Sequence, residues 1–316
     1  MARLCARWAW RPATFYHRSL GHLQRRITVV IMQHRLFARA AALALLIGLA
    51  SLADGKTRAD CEKEYTPQRG QSGKDVIWIP TEDALVIRML EMAKVSPKDK
   101  VYDLGAGDGK IAIAAGKRFG ATAVGIEYNP DFAKFAQCLV EVEGVQDRVK
   151  VIQGDIFESD FSDATVVTLY LLPDLNLRLR PTLLDMKPGT RVVSHSFMMG
   201  DWDPDEQAQT NEGSAYLWIV PAKVDGFWTF RQQGGTDSFE ATLDQTFQFL
   251  KGSVGNAMLT SGKLVGPKIE FAFTQGGKET RVSGTVEGDR INATVTRDGK
   301  STNYVGTRRA GSRAGS

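Results

Sequence analysis

One third of the way along this 316-residue chain, Val101-Tyr102-Asp103-Leu104-Gly105-Ala106-Gly107-Asp108-Gly109-Lys110 restricts the fold more than any other stretch. It reads as a buried strand that runs into a glycine-rich turn and then into a helix. Such a turn brings the backbone within contact distance of a nucleotide-like ligand, because glycine has no side chain to hold the ligand off. The spacing narrows the ligand. A dinucleotide fingerprint, Gly-x-Gly-x-x-Gly, needs its third glycine at position 110, which is Lys110. A pyrophosphate seeks the free amides of the helix N-terminus, where an acid such as Asp103 is unhelpful. A ligand without phosphate, carrying an ammonium and a sulfonium, tolerates or welcomes that acid.

Downstream residues continue the pattern. Val124-Gly125-Ile126-Glu127-Tyr128-Asn129 reads as a second strand ending in an acid, 18 residues past Gly109. A carboxylate at that strand end can accept hydrogen bonds from both hydroxyls of a ribose. A third strand, Val149 to Ile152, is closed by Gly154-Asp155-Ile156-Phe157. Singly, each acid has a plain alternative: Asp103 bonded within its turn, Glu127 a solvated strand end, Asp155 a cap on a short helix. Together the chain resembles the class I S-adenosylmethionine-dependent methyltransferases, whose first motif is acid-x-Gly-x-Gly-x-Gly. The resemblance implies S-adenosyl-L-methionine as cofactor, held by Thr81, Asp103, Gly105, Gly107, Gly109, Glu127, Asn129, Asp155 and Ile156. In that family an acid at the position of Asp155 bonds the adenine amino group, and the next apolar residue packs on the ring.

Strand and helix patterns alternate around these motifs. Strands are predicted near Val101–Leu104, Ala123–Tyr128, Val149–Ile152, Thr165–Leu171 and Thr190–Phe197. Thr81 is read as the cap of a helix with Glu82 and Asp83 in its first turn, and Asn129-Pro130 as the start of another. Such alternation argues for a parallel sheet with helices on both faces. The expected fold is α/β, a Rossmann-like seven-stranded methyltransferase sheet over residues 75–222. Beyond Ala222 the period changes to two: Phe239, Ala241, Leu243, Phe247 and Phe249 alternate, as do Ile269, Phe271 and Phe273. Gly276-Gly277, Glu287-Gly288 and Asp298-Gly299 are hairpin signals. Residues 223–308 are therefore expected to form a small antiparallel sheet or barrel, with 309–316 a disordered tail.

Charge and cysteine usage bear on location and partners. The first 53 residues hold eight arginines, no lysine and no acid, so without them the formal charge falls from +4 to −4. The remainder has no basic balance to draw it onto nucleic acid. Arg35 and Arg39 precede an apolar run from Ala40 to Ala53, of the size of a secretory h-region, with small residues at Ser51 and Ala53 suited to cleavage. Residues 1–53 are read as a targeting segment that exports the protein or anchors it to a membrane, the alternative being an organellar transit peptide; Met32 could be the true start. Residues 54–74 are polar and read as a linker. Cys138 is expected as a free buried thiol, since Cys61 and Cys138 make no disulfide framework, and no metal cluster is visible.

The acceptor is expected beyond the fourth strand, at Leu169-Tyr170-Leu171-Leu172-Pro173-Asp174, because ligands of open parallel sheets bind outside the carboxyl ends of the strands. Methyltransferases that act on nucleobase amines often carry Asn-Pro-Pro-Tyr here, and this chain does not. Ile77-Trp78-Ile79-Pro80-Thr81, Tyr170-Leu171-Leu172-Pro173 and Arg191-Val192-Val193-Ser194 are similar to the ATP synthase c-subunit lysine N-methyltransferase family. That resemblance spans about residues 77–205. It implies a protein substrate with an accessible lysine, one that could be membrane-embedded, with Tyr170, Pro173 and Asp174 at the catalytic end. Asp201, Asp203, Asp205 and Glu206 either form a plain solvated loop or attract such a cationic substrate, and His195 could serve as a base or be structural. A small-molecule O- or N-methyltransferase, or a non-catalytic cofactor-binding domain, are the alternatives.

Overall fold

The computed structural model describes residues 55–311. The targeting segment with its apolar run, and most of the expected tail, lie outside the described residues. Among the described residues no helix is long and apolar enough to cross a membrane.

Among the described residues the first elements are α1 (Arg58–Glu64) and α2 (Asp83–Met92). Then follow β1 (Lys100–Leu104), α3 (Lys110–Phe119), β2 (Thr122–Glu127), α4 (Pro130–Val142), β3 (Val149–Gln153), β4 (Val166–Leu169), α5 (Pro173–Leu184) and β5 (Arg191–His195). With β6 (Glu206–Thr210) and β7 (Gly213–Ile219) these strands form one sheet in the order β3-β2-β1-β4-β5-β7-β6. Strands β1 to β5 are parallel; β7 returns antiparallel to β5, and β6 to β7. All five predicted strands are present. Three end early: β2 stops at Glu127, β4 at Leu169, and β5 at His195, where Ser196 takes a φ of +63° that breaks the ladder. β4 is buried along its whole length, as its unbroken apolar run requires of a strand covered on both faces.

Helix α4 starts where its sequence says. Asn129 accepts from the amides of Asp131 and Phe132, Pro130 takes the first position, and Phe132, Phe135, Ala136 and Leu139 are buried. Helix α2 does not follow the expectation. Its N-cap is Glu82, without a side-chain cap bond, while the Thr81 hydroxyl lies 3.1 Å from His195 Nδ1. A tertiary partner has taken the oxygen that the local pattern assigned to the helix.

Residues 54–74, read as a linker, carry α1 and a covalent staple. Cys61 and Cys138 form a disulfide with 5.9 Å between Cα atoms, so Cys138 is not the free thiol expected. Two cysteines 77 positions apart carry no spacing signal that would have paired them. Around the bridge, Tyr65, Trp78, Phe132, Phe135 and Leu139 make a small apolar cluster that fixes the N-terminal segment to α4.

The C-terminal strands are β8 (Gly226–Gln232), β9 (Ser238–Thr246), β10 (Phe249–Val254), β11 (Ala257–Val265), β12 (Lys268–Gln275), β13 (Lys278–Glu287), β14 (Arg290–Arg297) and β15 (Lys300–Arg308). They close into an eight-stranded antiparallel barrel, β15 pairing with β8, so no strand edge is left open. Trp228, Phe230, Leu243, Phe271, Phe273 and Val282 pack among its buried residues. Gly276-Gly277 and Asp298-Gly299 take positive φ at both turn positions, the geometry that two-residue hairpins demand. The period-two reading fails at one end of β9. Phe247 sits in the β9–β10 turn at φ +52° and stacks on Trp202, and Phe249 is exposed.

Candidate active site

Strand order reverses between β1 and β4, and a cavity of about 630 Å³ opens beyond the carboxyl ends of β1, β2 and β4. Residues 71–81 cross over it. The glycine turn forms one wall. Gly105, Gly107 and Gly109 have φ of +83°, +54° and +75°, which L side chains rarely adopt. Space forbids side chains as well: a Cβ on Gly107 would lie 2.5 Å from Trp78 Nε1. Of the three, Gly105 lines the cavity; Gly107 instead seats Trp78, and Gly109 lets α3 start close against Val151 and Ala136.

Three carboxylates crowd this wall. Asp103 is 2% exposed and accepts from Thr168 Oγ1 at 2.7 Å. Burial, helped by the charges of Asp108 and Glu127, pushes its carboxyl up to about 7. Burial also raises Asp108, a residue the motif reading passed over, although the field of Lys110 offsets part of this. Glu127 ends β2 with its two oxygens taking the amides of Gly107 and Asn129, each at 2.9 Å, and burial raises it too. Lys110, the nearest lysine in sequence, pairs with Asp83 and donates to the Thr81 carbonyl, both at 3.0 Å. Among the described residues no group of three His, Cys, Asp or Glu side chains converges as metal ligands would. An organic cation entering the cavity relieves this crowding, whereas a di- or triphosphate adds to it.

On the adenine side, Asp155 and Ile156 line the cavity as the motif order predicts. Asp155 also makes the local turn of the plain alternative, accepting from Phe157 N at 2.9 Å. Its other oxygen holds Lys74 Nζ at 2.6 Å, which keeps this carboxyl below the usual range, and the same ammonium lies 4.8 Å from the Tyr128 ring. Asn129 lines the cavity while its side-chain oxygen is committed to capping α4.

The opposite end is aromatic and apolar: Tyr170, Leu171, Leu172, Leu175 and Phe197. Pro173 and Asp174 do not line it. They open α5, where proline suits the first position and an acid suits the positive end of the helix. Asn176 of α5, fully buried, donates to the carbonyls of Phe197 and Met198 and so holds the loop after β5. Three of the four acids in the loop after β5 already have partners. Asp201 pairs with Arg180, Glu206 with Arg88, and the Asp205 side chain, 7% exposed, accepts from Ile219 N and faces Lys263 of the barrel. Lys74, Asp108 and Phe197 line the site without having been singled out by the motifs, and Asn176 supports it from behind. Only the aromatic character of Phe197, at the end of a predicted strand, could have hinted at one of them.

A family model for the ANTKMT methyltransferase domain matches residues 103–206. The protein-lysine N-methyltransferase of Saccharolobus islandicus (strain REY15A) is 45% identical over 151 residues, 46% of this chain and 94% of that protein. The ATP synthase c-subunit lysine N-methyltransferase of Homo sapiens is 33% identical over 140 residues, 44% of this chain and 57% of that protein. Among solved structures, an RNA methyltransferase from Salinibacter ruber in complex with S-adenosyl-L-homocysteine is 46% identical, spanning 50% of this chain and 99% of that one at a TM-score of 0.45. With the motif residues gathered at one cavity and nearly all of the Saccharolobus enzyme matched, the chain belongs to the class I S-adenosylmethionine-dependent methyltransferases, in the family of the ANTKMT methyltransferase domain.

Proposed function

We propose that this enzyme transfers the methyl group of S-adenosylmethionine to the side-chain amine of a lysine in a protein. One observation carries the reading: a cavity whose cofactor end is crowded with buried acids and whose other end is walled by Tyr170, Leu171, Leu172 and Phe197. Asp103, Asp108 and Glu127 suit a cofactor bearing a sulfonium and an ammonium. Gly105 lets the backbone approach it, Gly107 and Gly109 hold the turn, and Thr81, Asn129, Asp155 and Ile156 complete its surroundings. The amine must arrive uncharged. From a pKa of ~10.4, deprotonation at pH 7 costs roughly 4.6 kcal/mol. An apolar wall lowers that cost by disfavouring the charged form, and Tyr170 orients the nitrogen for in-line attack on the methyl. Pro173 and Asp174 act by fixing the start of α5 next to Leu172. The identity with protein-lysine methyltransferases supports the acceptor class.

The enzyme is further proposed to work in an exported or membrane-tethered state. The arginine-rich, acid-free leader with its apolar run supports this, as does the Cys61–Cys138 disulfide, a bond that persists in oxidising compartments. Ile77, Tyr128 and Leu172 are exposed at the cavity, which suits an apolar, membrane-embedded protein substrate. The decisive experiment incubates the purified protein with radiolabelled S-adenosylmethionine and a cell lysate, then treats halves with nuclease or protease. Label that survives nuclease and maps to methyl-lysine by mass spectrometry is expected. Label confined to RNA or to small molecules would overturn the lysine reading.

A further inference from the structure

A buried imidazole at the acceptor end takes part in none of the cofactor motifs. His195 closes β5, is 5% exposed, and its ring stacks on Tyr170 with centroids 3.7 Å apart and 28° between planes. Its Nδ1 lies 3.1 Å from Thr81 Oγ1. Thr81 is itself buried, and its carbonyl accepts from Lys110 Nζ, the first residue of α3 past the glycine turn. Behind the ring, Gly213 of β7 makes room: a Cβ there would fall 3.0 Å from His195 Nε2.

Tyr170 needs such a wall. β4 has ended at Leu169, so no strand ladder fixes the tyrosine, and Phe197 is farther away at 6.3 Å between centroids. We propose that His195 is a positioning residue that sets the plane of the Tyr170 ring toward the methyl acceptor, with Thr81 holding the imidazole and linking it to the cofactor turn. The inference rests on the reading of Tyr170 as an acceptor contact. The Thr81 hydroxyl and Nδ1 share one hydrogen bond, in the direction that the ring's tautomer sets. Burial holds this histidine down to about 4, so it stays uncharged where the enzyme would meet a lysine. Positioning of this kind acts on turnover, because a reacting pair a fraction of an ångström out of line loses rate without losing cofactor affinity.

Two variants of the full chain separate the contacts without emptying the site. His195→Asn keeps a polar partner for Thr81 and loses the ring; His195→Phe keeps the ring and loses the polar partner. Each is assayed for kcat and KM on the lysate fraction that accepts label from the wild type, with S-adenosylhomocysteine affinity measured by calorimetry. His195→Asn is expected to lower kcat at least about tenfold with cofactor affinity changed less than about twofold, and His195→Phe to recover most of that loss. Equal loss in both variants, or none in His195→Asn, overturns the inference and leaves lysine methylation standing. If the wild type labels RNA alone, the lysine reading falls, and the same two variants on that acceptor still decide the role of His195.

Discussion

The sheet and the barrel are built to different standards of local comfort. In the barrel, tight turns, alternating burial and closed pairing agree from β12 to β15, with register shifts only where β11 pairs with β10 and β12. In the sheet, the helices and strands are as orderly, yet one edge sets three carboxylates with raised protonation beside a turn of three positive-φ glycines, whereas the positive-φ residues of the barrel lie mostly in its hairpin turns. Sequences that fold well keep local choices consistent with the whole, so inconsistency gathered at one place marks where binding has been favoured over stability. The barrel, by that measure, is scaffold along its walls, and the sheet edge is the working part.

That contrast can be broken by experiment. The largest effect belongs to the staple on the sheet side. Opening Cys61–Cys138, by Cys61→Ser or by reductant, releases a loop of 77 residues and should cost about 4 kcal/mol of stability, read as a lower denaturant midpoint. No comparable single change exists in a barrel strand unless a core aromatic is truncated.

Asp103→Asn should do the reverse, and the sign depends on pH. The folded protein keeps Asp103 protonated up to about 7, whereas an unfolded aspartate titrates near 3.9. Stability therefore falls as pH rises from about 4 to about 7 and stays at the lower level above it. The asparagine variant should gain up to about 4 kcal/mol at pH 8 and almost nothing near pH 4. Thermal melts at both pH values check this. The same change should weaken S-adenosylmethionine binding by at least about tenfold at pH 8, because the cation loses its counter-charge. A stabilised variant with unchanged affinity would mean that the acid is not there for the cofactor.

Glycine replacements sharpen the comparison next. Gly107→Ala meets Trp78 in a left-handed turn and should lower S-adenosylhomocysteine affinity by about 100-fold in calorimetry. Gly277→Ala has the same backbone sign with open space around it and should cost about 1 kcal/mol of stability and no affinity. The smallest effect is expected at Met258, exposed on β11, where Met258→Ser should move stability by no more than about 0.5 kcal/mol.

Much of this was legible because it is local or periodic. The glycine turn, the acids at the ends of β1 and β2, the proline-started α4 and the paired-glycine hairpins all write their geometry into neighbouring residues. What escaped depends on partners far along the chain. Thr81 looked like a cap because its helix begins two residues later, but His195 lies within reach of its hydroxyl in space. Cys61 and Cys138 meet only because α1 folds back over α4. Phe247 kept the period of β9 yet left the barrel wall, since a positive-φ turn turned its ring toward Trp202. The partners of the acids in the loop after β5, Arg180, Arg88 and Lys263, could not be placed from sequence.

Trp202 and Trp218 lie wholly out of solvent at the seam where Phe247 comes down from the barrel, the second donating its indole hydrogen to the carbonyl of the first at 2.7 Å. Gln248 adds a bond to the carbonyl of Asp203. A gene trimmed after Ala222 to isolate the transferase half would strip Trp202 of the Phe247 ring stacked on it. The two halves read as separable in the amino-acid order, but anyone wishing to express one without the other must first re-dress the wound.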